Sequence, residues 1–183
     1  MKNLIIGIAI ILTILTFNVY QMDINDMEVH QNALKFATDQ ATNSAMLELD
    51  EQSYGDGYIT FDYAAGVRSA FEVIQKETGV RDDFSASGEY YTEPMDMYVY
   101  FFDSSMVAKK YHNNVYIESF AFEWGDLVGD TTDITTLTEE NFTITRPSVV
   151  TIVDAGEPRM RLPFLQDRAK IMKMSVYEYD TPH

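Results

Sequence analysis

Three histidines, His30, His112 and His183, are the side chains best suited to proton transfer near neutral pH, and no cysteine accompanies them. Covalent catalysis needs a Ser, Thr or Cys activated by such a base. Without cysteine there is no thiol nucleophile, no disulfide scaffold, no lipidated N-terminal Cys and no Cys-based zinc site. The sequence also lacks a Gly-x-Ser-x-Gly elbow and a Gly-rich phosphate loop; Gly55 and Gly57 belong to a turn. No two histidines stand at helical metal-ligand spacing, so a His-rich zinc site is not expected. His30 lies near the apolar side of a predicted helix, which predicts a packed or interfacial role. His112 falls in Lys109-Lys110-Tyr111-His112-Asn113-Asn114, which reads as an exposed turn, and His183 stands last.

Carboxylates are plentiful enough to cluster by chance. Asp126, Asp130 and Asp133 in GDLVGDTTD present oxygens suited to a hard cation such as calcium. The EF-hand order of alternating oxygens, central Gly and terminal Glu is missing, so a solvated acidic loop is the favoured reading. Asp50, Glu51 and Asp56 are read the same way. Tyr98-Val99-Tyr100-Phe101-Phe102, with Phe120, Phe122 and Trp124, has the composition of a sugar or ligand platform, but alternation at strand spacing points to core. Asn141-Phe142-Thr143 matches a glycosylation sequon, a pattern short enough to recur by chance. No catalytic, cofactor-binding or metal residue is assigned, and no cofactor is expected.

The elements that would carry these residues begin with a hydrophobic run. From Asn3 to Met22 no side chain is charged; Lys2 precedes the run and Asp23 ends it. As a helix it spans roughly 30 Å, the thickness of a bilayer core. The run exceeds a signal-peptide core and lacks a small-x-small cleavage site, so an uncleaved signal anchor is expected over residues 1–22. Lys2 and the α-amino group keep the N-terminus cytoplasmic, with the remainder extracytoplasmic. A prepilin-type cut after Gly7 would place Leu12 where that class carries Glu.

Residues 23–52 are expected to form an amphipathic juxtamembrane helix, read over Asp23–Asp50. Met27, Leu34, Ala37, Ala41, Ala45 and Leu49 make an apolar stripe opposite Glu28, Lys35, Asp39 and Asn43. Asn25 with Glu28 resembles a capping box, so the helix either restarts there or continues unbroken from the membrane. Residues 53–183 read as one α+β domain. Tyr58–Asp62 is β-like, and Asp62 caps a helix over Tyr63–Thr78 that Gly79 ends. Strands are expected at Met95–Phe102, Val115–Trp124, Phe142–Thr145, Ser148–Asp154 and Arg168–Tyr179. Pro147 suggests an edge or bulge, and Leu127–Asn141 reads as a loop. The expected fold class is therefore α+β: a transmembrane helix extended by an amphipathic helix, one further helix, and an antiparallel sheet of four or five strands.

The chain has 183 residues, with 13 Lys and Arg against 29 Asp and Glu, and a net charge of −16. A surface of that sign repels nucleic acid and anionic headgroups, and serves as a solubility device for an exposed domain.

The order of parts resembles a known group. An anchor leads into the Ala-rich NALKFATDQATNSAMLELDE. GDGYITFD and YAAGVRSAFEVIQKETG follow, and RPSVVTIVDAG and RAKIMKMSVYEY come near the end. This resembles the TadE-like and pseudopilin-like membrane proteins of Gram-positive pilus-assembly and secretion clusters. The resemblance implies a non-enzymatic structural or assembly component of a pilus-like, tight-adherence or secretion apparatus. Its partners would be the bilayer and other assembly proteins, met through the N-terminal helix, with a homo-oligomer left open. It offers no catalytic residues. The alternative is a membrane-anchored extracytoplasmic domain that binds a ligand or cation, or acts as a sensor. A tethered hydrolase ranks below both.

Overall fold

The N-terminal quarter of the chain is one uninterrupted helix, α1, from Lys2 to Leu47. The computed structural model describes residues 2–85, 90–125, 127–128, 142–162, 165 and 170–179. At 1.5 Å per residue α1 is about 69 Å long. The helix does not restart at Asn25. A capping box needs a break in the i to i−4 ladder, and α1 runs through Asn25 and Glu28 without one. Helix α1 ends at Leu47, short of Asp50. Asp50 instead caps a single turn, α2 (Glu51–Gly55), by accepting the Ser53 N–H at 3.0 Å.

Tyr58–Asp62 is not a strand. Phe61 makes one isolated bridge to Leu49, and no neighbouring strand extends it into a ladder. The stretch ends in the Asp62 cap of α3 (Tyr63–Thr78), whose carboxylate accepts the Ala65 N–H at 3.1 Å. Gly79 closes α3 in the left-handed region at φ 71°.

The rest is antiparallel sheet: β1 (Asp96–Phe102), β2 (Val107–His112), β3 (Val115–Ala121), β4 (Leu127–Val128), β5 (Phe142–Thr143), β6 (Ser148–Asp154) and β7 (Met172–Glu178). Five of these strands form one sheet in the order β3-β2-β1-β6-β7, while β4 pairs only with β5. The fold is thus α+β, with a long apolar N-terminal helix, a further helix and a five-stranded antiparallel sheet. Three expectations need correction. Lys109–His112 is not a turn; these residues belong to β2, and the turn is Asn113-Asn114. Both asparagines are left-handed, at φ 46° and 65°, as a two-residue hairpin connection of matching twist requires. Strand β6 is not an edge, for it lies between β1 and β7. Pro147 precedes its first paired residue and contributes a carbonyl to the Tyr179 N–H at 2.7 Å, so the missing proline N–H costs no ladder bond. The last strand starts at Met172 rather than Arg168. Most of the predicted 127–141 loop, like Asp126, Asp130, Asp133, Asn141 and His183, lies outside the described residues.

Two cores share the sheet. Met97, Val99, Phe101, Val149 and Val153 face the cluster made with α1 and α3; Tyr100, Phe102, Val150 and Ile152 face the other side. Strands β1 and β6 are therefore buried on both faces, which is why their sequences read as near-continuous apolar runs. On α1 the covered face is Leu34, Ala37, Ala41 and Ala45, joined by Thr38 and Thr42. The two threonine hydroxyls donate to the carbonyls four residues back, each at 2.7 Å, which satisfies them without a partner across the interface. Small side chains let α3 approach closely. A Cβ on Gly66 would stand 3.0 Å from the Phe101 ring and 3.1 Å from the Ala45 carbonyl oxygen.

Candidate functional site

The chemistry-bearing residues singled out from sequence are dispersed. His30 is half-buried, its ring stacked on Tyr90 at 3.5 Å between centroids and set edge-on to Tyr91 at 5.8 Å. Burial holds its pKa below 6.5, and Asp26 opposes that shift. His112 ends β2; its Nε2 is 2.8 Å from Asp96 Oδ1, and its ring stacks on Tyr98. The Asn113 side chain fixes the same corner, donating to Asp96 at 3.1 Å and accepting the Met97 N–H at 2.8 Å. Asp50 caps α2, Glu51 begins it and Asp56 follows it, so these three acids serve a local turn. Val99, Tyr100, Phe101 and Phe102 are fully buried and form core; Trp124 remains partly exposed. Among the described residues no three His, Asp or Glu side chains converge as a metal site would require.

Two features that do converge lie on α1. The first is the arm, residues 2–22. Among the described residues α1 is the one helix long and apolar enough to cross a membrane. Its large apolar side chains from Leu4 to Met22 are exposed, Val19 partly so, and contribute nothing to either core. An apolar surface of this extent on one segment marks a membrane or protein contact. Its polar atoms are prepared for a dry environment, since Thr13 donates to the Ala9 carbonyl and Thr16 to the Leu12 carbonyl, both at 2.9 Å.

The second is a collar where the arm meets the domain. Asp23, the first charged residue after the arm, is only 1% exposed. Its Oδ1 accepts from Arg161 Nη1 at 3.0 Å, and its Oδ2 accepts the Leu162 N–H at 2.9 Å. The same Arg161 nitrogen reaches Asp26 Oδ2 at 2.8 Å. These acids, Asp26 first, raise the guanidinium pKa further and hold it charged. The loop carrying Arg161 is tied to a second loop: the Arg159 N–H donates to the Tyr90 carbonyl at 2.8 Å, Thr92 Oγ1 donates to the Glu157 carbonyl at 3.1 Å, and Tyr91 bridges Pro158. Tyr91 then donates through its hydroxyl to the His30 carbonyl at 3.4 Å. Two loops thus clasp α1 between Asp23 and His30.

Sequence reasoning found the arm and placed His30, but not the collar. Asp23 and Asp26 signalled only the end of the apolar run, and Arg161 lies 138 residues from Asp23. A charge pair at that separation has no sequence periodicity to betray it.

A further missed feature is the outward side of α1. Val29 and Phe36 are 57% and 56% exposed, on the side away from the buried Ala stripe. Met22, Leu15 and Ile8 precede them at seven-residue steps and are exposed as well. Residues seven apart on an α-helix lie on nearly one line, drifting about 20° per step.

Comparison with protein-family models, curated proteins and solved structures gives no match to this chain.

Proposed function

We infer that the protein is a non-enzymatic single-pass membrane protein, a structural or assembly component of a pilus-like or secretion apparatus at the cell surface. Helix α1 anchors it, and residues 23–183 stand on the extracytoplasmic side. The observation that carries this reading is the exposed line Ile8, Leu15, Met22, Val29 and Phe36. A lipid anchor accounts for the first three. It does not account for Val29 and Phe36, which continue the same line about 10 and 21 Å beyond Met22. Exposed apolar residues at heptad spacing suit packing against another helix. That helix belongs to a second copy or to a neighbouring assembly protein. The collar supports the same reading, because it fixes the domain to the arm and lets the packing of one set the orientation of the other.

The apolar stripe read from the sequence is spent within the chain. Ala37 and Ala41 are covered by α3 and the sheet, so the partner surface is the opposite side of α1.

Single cysteines at Val29 and Phe36 test the reading cleanly, since the chain has none of its own. Mild oxidation of intact cells, with the partner subunit's or copy's matching position also made Cys, is expected to give a discrete linked species. Val29→Glu with Phe36→Glu should abolish co-purification while leaving the thermal midpoint unchanged. Unchanged assembly in that double variant would sink this face as the interface.

A further inference from the structure

We propose that the collar is a binding site for the headgroup of a zwitterionic aminophospholipid, with its phosphate on Arg159 and Arg161 and its ammonium on Asp26. This rests on α1 spanning the bilayer. Beside the collar opens a cavity of about 310 Å³ lined by Asp26, Tyr90, Arg159, Met160 and Arg161. Asp26 lies four residues beyond Met22, about 6 Å along the helix axis, which places the cavity in the headgroup layer bordering the hydrocarbon.

The groups around the cavity are of two kinds. Asp23 is consumed, its two oxygens taken by Arg161 and the Leu162 N–H. The others have capacity left. Arg159 is exposed, and its side chain makes no ion pair among the described residues; the backbone bond to Tyr90 fixes where that side chain begins. Arg161 is 51% exposed and uses one terminal nitrogen on both acids. A guanidinium carries five donors, so others remain for a phosphate, whose geometry it matches. The Tyr90 hydroxyl is buried without a hydrogen-bond partner, an arrangement native structures seldom leave unused. Asp26 is 41% exposed and open to a second cation.

Charge decides the class of headgroup. Two arginines and two aspartates bring the cavity near neutrality, within a chain of net charge −16. An anionic headgroup would meet repulsion from the acidic domain above it. A headgroup bearing one charge of each sign satisfies the free arginine and the open aspartate together, and a primary ammonium supplies donors that a quaternary one lacks.

The test uses the full chain in mild detergent, with lipids titrated back and bound lipid counted by native mass spectrometry. Phosphatidylethanolamine is expected to be retained about fivefold over phosphatidylglycerol and over phosphatidylcholine, the discrimination of one charge-assisted hydrogen-bonded pair. Arg159→Gln should remove that preference at an unchanged thermal midpoint, and Arg159→Lys should restore part of it. Equal retention of the three lipids, a preference for the anionic one, or an indifferent Arg159→Gln variant would overturn the proposal. Binding of free phosphoethanolamine as tightly as the lipid would overturn the lipid assignment in favour of a soluble ligand. Alkaline carbonate extraction of wild-type membranes tests the anchor separately: release of the chain would refute the membrane reading itself, whatever the lipid counts show.

Discussion

His30 illustrates how one side chain acquires its role from neighbours that sequence does not supply. Its position near the apolar side of a helix is legible from spacing. Its partners, Tyr90 and Tyr91, come from a loop 60 residues on. Burial favours the neutral ring against the opposing pull of Asp26, so its pKa in the fold lies below 6.5. The unfolded chain then binds the proton more readily than the folded one. The stabilisation from a neutral His30 is fully present above pH 6.5, and is lost as the pH falls through the lowered folded value. Thermal midpoints of the full chain measured from neutral to mildly acidic pH should fall more steeply for wild type than for His30→Phe, which keeps a stacked ring and has no proton to take up. Parallel curves would mean that His30 does not couple to the fold. Asp23 teaches a related lesson. A carboxylate that ends a hydrophobic run is ordinarily solvated, yet this one is buried, because a guanidinium and a backbone N–H replace its water.

At the scale of elements, the helices were the most legible part. Helix α3 was predicted with its boundaries, since Asp62 and Gly79 satisfy its first N–H and last carbonyl groups locally. The doubly buried strands β1 and β6 were legible from their apolar runs. Strand β2 was not, because Lys109, Lys110 and His112 make it look solvated. Lys110 is in fact mostly buried, over the Tyr100 ring at 5.7 Å and 3.5 Å from Glu118 on the neighbouring strand. A lysine can occupy such a site by laying its aliphatic stem on the sheet. The helix pair depends on small residues in the same way that the sheet depends on large ones. Gly66 faces the Ala45 backbone and the Phe101 ring with no room for a side chain. Gly66→Leu is expected to destabilise the fold by about 1–3 kcal/mol through overpacking, measured by chemical denaturation. A variant as stable as wild type would show that α1 and α3 can separate freely.

For the whole molecule, α1 divides into an exposed apolar arm and a stretch packed on the domain. Neither core includes a residue before Met27, so the domain does not need the arm for its packing. Deleting residues 2–22 while keeping Asp23 should therefore yield a protein that stays in aqueous solution without detergent and melts within a few degrees of the full chain. Loss of the fold in that truncation would show that the arm is part of the domain's structure. The sequence by itself determined the arm, the α+β class and the exclusion of cysteine chemistry. These follow from composition and from periods of a few residues, which act locally whatever the chain does later. The tertiary structure alone decided that α1 is unbroken, that Ala37 and Ala41 are core, that Val29 and Phe36 face outward, and that Asp23 is clasped by Arg161. Each of those outcomes depends on contacts between distant segments. A stripe of alanine, or a lone aspartate, has no fixed meaning until the chain folds a particular surface against it.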